Sequence, residues 1–318
     1  MQHFLLSAAA RTISLKAVFT MGEDKAYEAF RAMRWPETNG EAVCPRCGCV
    51  ESYAITTRRR FKCMACHYQF SVTSGTIFAG RKLSFTDLLA AIVIFVNGAK
   101  GVSALQVSRD LNVQYKTAFV LSHKLREAMA RETASLTLTG DVEVDGAYFG
   151  GYVKPANWKE NRRDRRLAVN QSGLRQSVVV MRERKGRTLT FIGKSEAQGV
   201  AAINARVSPD ATIHADEASH WDALHTRYDA YRINHSECYS DGQACTNQAE
   251  SFFSRLRRAE IGTHHAVAGP YLNAYAGEMS WREDHRRVAN GAQAGMVGRA
   301  AMASRQSRAW AGYWQRAA

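Results

Sequence analysis

Three acidic side chains and four cysteines are the residues of this chain whose types and spacing could do chemistry. The stretch from Cys238 to His265, CYSDGQACTNQAESFFSRLRRAEIGTHH, sets Asn247, Glu250, Ser254 and Arg257 at i, i+3, i+7 and i+10. That spacing predicts one helical stripe carrying a carboxamide, a carboxylate, a hydroxyl and a guanidinium. Phe252, Phe253 and Leu256 supply the apolar side that would dock such a helix. Upstream, Asp145 in GDVEVDGAYFGG and Asp216 in ATIHADEASHW each close a strand-like segment. Hard divalent cations take oxygen ligands, and a nuclease holds two of them with acids placed in this way. A solvated helix face would account for Glu250 alone. The three acids together, in a basic chain, point to phosphodiester chemistry.

The cysteines define a second centre. Cys44 and Cys47 form one C-x-x-C pair, and Cys63 and Cys66 form another fifteen residues later. Two such knuckles joined by a polar, strand-prone loop have the spacing of a tetrahedral four-thiolate zinc site. Gly48 allows the first knuckle to turn its amides toward a thiolate, and Phe61, Tyr68 and Phe70 can pack the ribbon. Cys49 is a bystander. An odd total of seven cysteines argues against a closed disulfide framework and favours a reducing cytosol.

The elements that must position these residues follow from periodicity. Residues 22–36 read as a short amphipathic helix stopped by Pro36, and Ser84 as the N-cap of an apolar helix from Phe85 to Val96. The segment from Gly101 to Met129 gives two helices around a turn at Asp110–Asn112, a helix-turn-helix layout. Its second helix offers Gln114, Tyr115, Lys116, His123, Lys124 and Arg126 to DNA. Beyond Gly140 a strand runs to Gly150–Gly151 and a basic loop follows, KPANWKENRRDRR. The runs SVVVMRER and TLTFIG read as a hairpin turning at Lys185–Gly186, and Ala211–Ala215 as the next strand. The order β, ββ, α, β, α suits an α/β domain with a mixed sheet. His214 and His220 flank Asp216, where polar groups satisfied near a strand end are at least as good a reading as a direct role.

Composition narrows the partners. A net charge of +14 and a pI near 9.7, with basic residues spread along all 318 positions, fit a protein that touches nucleic acid with several surfaces. The clusters include Arg58, Arg59, Arg60 and Lys62, then Arg162, Arg163, Arg165 and Arg166, then Arg255, Arg257 and Arg258. The longest apolar run, Leu88 to Val96, is about half of what a membrane span needs. The apolar piece from Phe4 to Ala10 has no basic region before it and makes a poor signal peptide, and Met21 is an alternative start.

From about Glu23 to Arg316 the chain resembles the transposases of IS1595-type insertion sequences, whose catalytic part is the ISXO2-like domain. The resemblance rests on the entry RW-P-x-x-G-x-x-V-CPRCG, the knuckle FKCMACHYQFSVTSGTIF, the EVD-x-x-YFGG strand, and the NRRDRR and SVVV-x-RERKGRT stretches. It continues through HADEASHW, T-N-x-x-E-SFFSRLRR, IGTHH and the terminal GYWQR. It implies a multidomain chain: an N-terminal helix and four-cysteine zinc ribbon over 22–80, a helix-turn-helix region over 81–135, an RNase H-like α/β core over 140–290, and a C-terminal tail over 291–318. It also implies DNA cut-and-join chemistry with magnesium or manganese on an acidic triad. Asp145 and Asp216 match the first two positions of that triad. The third falls at Glu250 or Asn247, because members use either a glutamate or an asparagine there and this chain keeps both. Asp145, Asp216 and Glu250 would hold the magnesium. Cys44, Cys47, Cys63 and Cys66 would hold the structural zinc. Arg257, Arg258, Lys116, Lys124 and Arg126 would contact DNA.

Two departures stand out. Arg257 replaces a lysine common in relatives, and Gly146 stands where they commonly carry a second acid. The implied partners are double-stranded DNA, as element ends and as target, and further copies of the chain on that DNA, with no membrane. The implied compartment is the cytoplasm, at the bacterial nucleoid. A nuclease of the same fold without strand transfer, or an inactive transposase-derived regulator, are the alternatives.

Overall fold

A computed structural model describes residues 4–151, 156–164, 167–170, 173–233, 245–267 and 269–315. Cys238 with its neighbours in 234–244, Lys154, Pro155, Arg165, Arg166 and Arg316 lie outside the described residues. The chain forms two compact units. One comprises residues 1–132 together with 285–318, and the other residues 133–284.

In the first unit, β1 (Ser52–Ile55), β2 (Arg60–Cys63) and β3 (Gln69–Phe70) form an antiparallel ribbon in the order β1-β2-β3. Trp35 packs edge-on against Phe61 and Phe70 at 5.7 and 6.3 Å and closes the ribbon's apolar side. Helix α1 (Leu15–Arg34) is wider than the helix expected over 22–36. It is broken at Gly22, whose φ of 76° only glycine adopts freely, and a separate stretch capped by Ser14 precedes the break. Beyond the break, Glu23 accepts hydrogen bonds from the Phe85 and Thr86 N–H groups at 3.0 and 2.9 Å. It thereby serves as a remote cap for α2 (Phe85–Asn97).

Ser84 caps α2 as its position predicts, its Oγ accepting from the Asp87 N–H. A helix apolar all round must be buried, and the run from Leu88 to Val96 is buried throughout. Helices α3 (Ala104–Asp110) and α4 (Tyr115–Glu132) follow, with Asn112 in the left-handed region at φ 50° in the turn between them. Residues 291–318, expected as a tail, instead contribute helix α8 (Asn290–Ala303), which packs on α1, α2 and α4. Its buried face combines the small residues Ala294, Gly298 and Ala301 with Val297 and Met302. A Cβ at Gly298 would collide with the Met33 sulfur, so a larger residue there would have to push that flexible side chain aside.

The second unit is built on a mixed sheet in the order β6-β5-β4-β7-β8. Strands β4 (Asp141–Phe149), β5 (Gln176–Glu183) and β6 (Thr188–Gly193) are antiparallel neighbours. Strand β7 (Thr212–Asp216) runs parallel to β4, and β8 (Asp229–Ile233) parallel to β7. The hairpin turn falls at Lys185–Gly186, with Lys185 at φ 60°. Strand β8 was not expected. It is a five-residue edge strand, DAYRI, whose charged and half-exposed residues give little period-2 signal.

Alternation along β4 divides the core. Val142 and Val144 face a cluster with Val179, Met181, Ile213, Ala215 and Ile203 of α5 (Gly199–Arg206). Ala147 and Phe149 face the opposite way, onto Phe252, Phe253 and Leu256 of α6 (Asn247–Ala259) and onto Leu272, Ala276 and Met279 of α7 (Leu272–Asp284). Asp284 ties α7 to the hairpin, accepting from Arg182 Nη1 at 2.8 Å and the Thr188 N–H at 3.1 Å. The result is a three-layer α/β/α unit. Among the described residues no helix is long and apolar enough to cross a membrane.

Candidate active site and zinc centre

Strand register brings the two aspartates together. Val144 pairs with Ala215 across the parallel β4–β7 ladder, so the next step along both strands sets Asp145 beside Asp216. Backbones at that spacing lie about 5 Å apart. Val144 and Ala215 belong to the cluster on the α5 side, so the aspartates, one residue on, face the other way, toward α6. Helix α6 lays Ala249, Phe252, Phe253 and Leu256 on β4 and β5 and leaves Asn247, Glu250 and Arg257 exposed. The helical stripe expected from the sequence is therefore present.

Asp145 lies within electrostatic reach of the other acids. Burial first, then the negative charges of Asp216, Glu196 and Glu250, push the Asp145 carboxyl up to about 7. The Gly146 N–H, which donates to Asp145 Oδ1 at 2.7 Å, pulls the other way. The carboxylates stand apart all the same. Among the described residues, the four zinc-ribbon cysteines alone bring three or more metal-ligating atoms within 4.8 Å of one another.

Two acids near this site were not foreseen. Glu143 lies two residues before Asp145 on the same face of β4 and is fully buried. Its Oε2 accepts from the Gln248 and Ala249 N–H groups at 2.7 and 3.2 Å, and its Oε1 from Arg184 Nε at 3.0 Å. The N-cap residue Thr246 makes no side-chain cap, so Glu143 caps α6 and compensates its positive end. The helix carrying Glu250 is thus fastened to the strand carrying Asp145. The alternation Asp141, Glu143, Asp145 in DVEVD was the available signal.

Glu196 is the second. A Cβ at Gly146 would collide with the Glu196 side chain, so the position that lacks an acid makes room for one arriving from the β6–α5 connection. Its carboxyl is raised, first by burial, and His220 Nε2 lies 3.5 Å away and opposes that rise. His214 is buried in the middle of β7, 2.8 Å from Asp141 and stacked on Tyr231. The His264 ring packs on Tyr275.

The basic candidates separate. Arg257 and Arg258 are exposed on the last turn of α6, where Arg258 donates back to the Ser254 carbonyl at 3.1 Å. On α4, Lys116 is exposed with its Nζ 5.2 Å from the Trp314 ring centre, and Lys124 is half-buried. Arg126, expected at the DNA, is a core residue: only 3% exposed, its guanidinium lies over the Phe95 ring at 5.4 Å. His123 is buried too, stacked on Trp310 at 4.2 Å. Helical periodicity turns these two positions inward, which residue type alone does not reveal.

The zinc centre is assembled. Cys44 and Cys66 Sγ are 3.6 Å apart, as are Cys47 and Cys63 Sγ. Tetrahedral zinc with bonds of about 2.3 Å spans neighbouring sulfurs by about 3.8 Å, so the four thiols fit the ion. The Cys66 N–H points at Cys63 Sγ at 3.5 Å and holds that thiol down at about 6. Cys49 faces away, against the Glu51 carbonyl.

Comparison with protein-family models matches residues 137–284 to the ISXO2-like transposase domain and residues 21–69 to the transposase zinc-ribbon domain. No curated protein matches the chain. The two matches fall on the unit that holds Asp145, Asp216 and Glu250 and on the ribbon that holds the four thiols, and together they cover more than half of the sequence. The chain belongs to the IS1595-type transposase family.

Proposed function

We propose that this transposase binds the ends of an insertion sequence and cuts and joins DNA there with divalent metal ions. The observation that carries the reading is the level placement of Asp145 and Asp216 on adjacent parallel strands, facing the helix that presents Glu250. The sheet order β6-β5-β4-β7-β8, with β6, β5 and β4 antiparallel and β7 and β8 parallel to β4, supports an RNase H-like core.

Asp145, Asp216 and Glu250 would supply oxygen ligands suited to magnesium or manganese. When bound, the metals polarise the attacking water or 3′-hydroxyl and neutralise the leaving oxygen. Asp145, whose carboxyl is raised to about 7, would have to give up its proton to hold a metal. Asn247 lies one turn before Glu250 and supports it or replaces it as the third ligand. Arg257 and Arg258 hold the DNA backbone; an arginine can grip phosphate with two parallel hydrogen bonds. The zinc ribbon and the α3–α4 pair, read as a helix-turn-helix, recognise the element ends. Duplex DNA and further copies of the chain are the partners, in the cytoplasm.

The test is cleavage of DNA carrying the element's own ends, with and without magnesium. Nicking and joining that vanish in Asp145→Asn and Asp216→Asn, with DNA binding kept, support the reading. Cleavage without joining would make the protein a nuclease. Binding without either would make it a regulator.

A further inference from the structure

A cleft of about 650 Å³ opens in the first unit between the 78–83 loop, the first turns of α4 and the segment 306–315. Arg81, Lys82, Lys116 and Lys124 line it, and no carboxylate does among the described residues. One wall is aromatic. Trp310 is held from behind by His123, stacked at 4.2 Å, and its backbone N–H donates to Ser307 Oγ at 3.0 Å. Ser307 in turn donates to Glu127 at 2.6 Å, so this wall is anchored in α4. Trp314 is 47% exposed, and its indole N–H donates to the Lys116 carbonyl at 3.4 Å while the Lys116 ammonium stands over its ring.

A cleft with cations and, among the described residues, no carboxylate selects a negatively charged guest, and the half-exposed Trp314 ring favours one with a flat face. A single nucleotide has both properties, and stacking on aromatic side chains under basic cover is how unpaired strands are held. The volume suits one small guest; a base pair within a duplex has its faces covered by its neighbours and cannot stack there. We propose that this cleft takes an unpaired nucleotide of the DNA substrate, its base against Trp314 and its phosphate on Lys116 and Lys124. The assignment rests on the reading of the chain as a DNA-cutting transposase and adds a preference for locally opened or single-stranded ends.

The test uses the full-length, zinc-loaded protein and two labelled probes: a blunt duplex and the same duplex with a short thymidine overhang. The overhang should bind about tenfold more tightly, the scale of one stacked base. Trp314→Ala should lose that preference and bind the blunt probe within about twofold of wild type, while Trp314→Phe should keep most of the preference. Zinc content and melting report whether each variant folds. If Trp314→Ala does not, Lys116→Ala decides, since it must weaken the overhang complex more than the blunt one. Equal affinity of the wild type for both probes overturns the cleft and leaves the transposase reading intact. So does an overhang preference that survives Trp314→Ala, or displacement of the overhang by an acidic peptide as readily as by oligothymidine. Failure to bind either probe overturns both.

Discussion

The zinc centre and the acidic site solve opposite electrostatic problems. The four cysteine sulfurs converge, 3.6 Å apart in two pairs, as a single tetrahedral ion requires. Carboxylates at neutral pH repel one another. Asp145, Asp216 and Glu250 keep their distance, and the burial of Asp145 beside those charges is relieved by keeping its proton up to about 7. One centre is built by folding. The other, among the described residues, brings no three carboxylates within 4.8 Å of one another.

The largest expected effect is on the zinc side. Cys44→Ser or Cys63→Ser should release about one zinc per chain and unfold the ribbon, because metal binding there is folding free energy. Metal analysis with a chelator titration checks this, and melting unchanged by chelation would break the comparison at its first term. On the acidic side, Glu250→Gln should cut magnesium-dependent cleavage by at least about a hundredfold with DNA binding kept. Asn247→Ala should cost about tenfold. The reverse ranking would move the third ligand to Asn247.

Glu143 offers a sharper cut through the comparison, since it touches no substrate yet sets where Glu250 stands. Glu143→Ala should lower cleavage about tenfold and raise the magnesium needed for half-maximal rate. Glu143→Gln, which still accepts from the two α6 N–H groups, should recover part of both. Equal losses in the two variants would mean that the pairing with Arg184, and not the cap, matters.

The smallest effect is the dependence on pH. The native carboxyl of Asp145 titrates near 7 and the unfolded one near 3.8, so the folded state binds the extra proton between those values. The contribution of this group to stability is therefore lost as pH rises from about 4 to about 7 when no metal is bound. A metal held by the same oxygens would compete with that proton, so magnesium affinity should rise with pH up to about 7 and level off above it, with a proton released on binding. Calorimetry in buffers of different ionisation enthalpy measures that proton. Asp145→Asn should abolish it.

What was legible in the sequence was what short-range geometry dictates. The cysteine spacing, the Lys185–Gly186 hairpin, the Ser84 cap and the stripe on α6 are all set by residues within a few turns of one another. The rest depends on partners far along the chain. Glu143 caps a helix that begins more than a hundred residues later, and Glu196 fills space left by Gly146. Arg126 is charged by type but buried by its place on α4, and β8 is too polar to stand out. Local pattern identifies an element. It does not say what that element will be asked to hold.

Helix α8 packs with α1, α2 and α4 although the whole second unit separates it from them in the chain. During synthesis the unit carrying the aspartates is finished first, while α2, apolar on every side, waits for its last neighbour. A ribosome that stops early therefore releases a chain with a complete acidic site and an incomplete zinc-bearing unit.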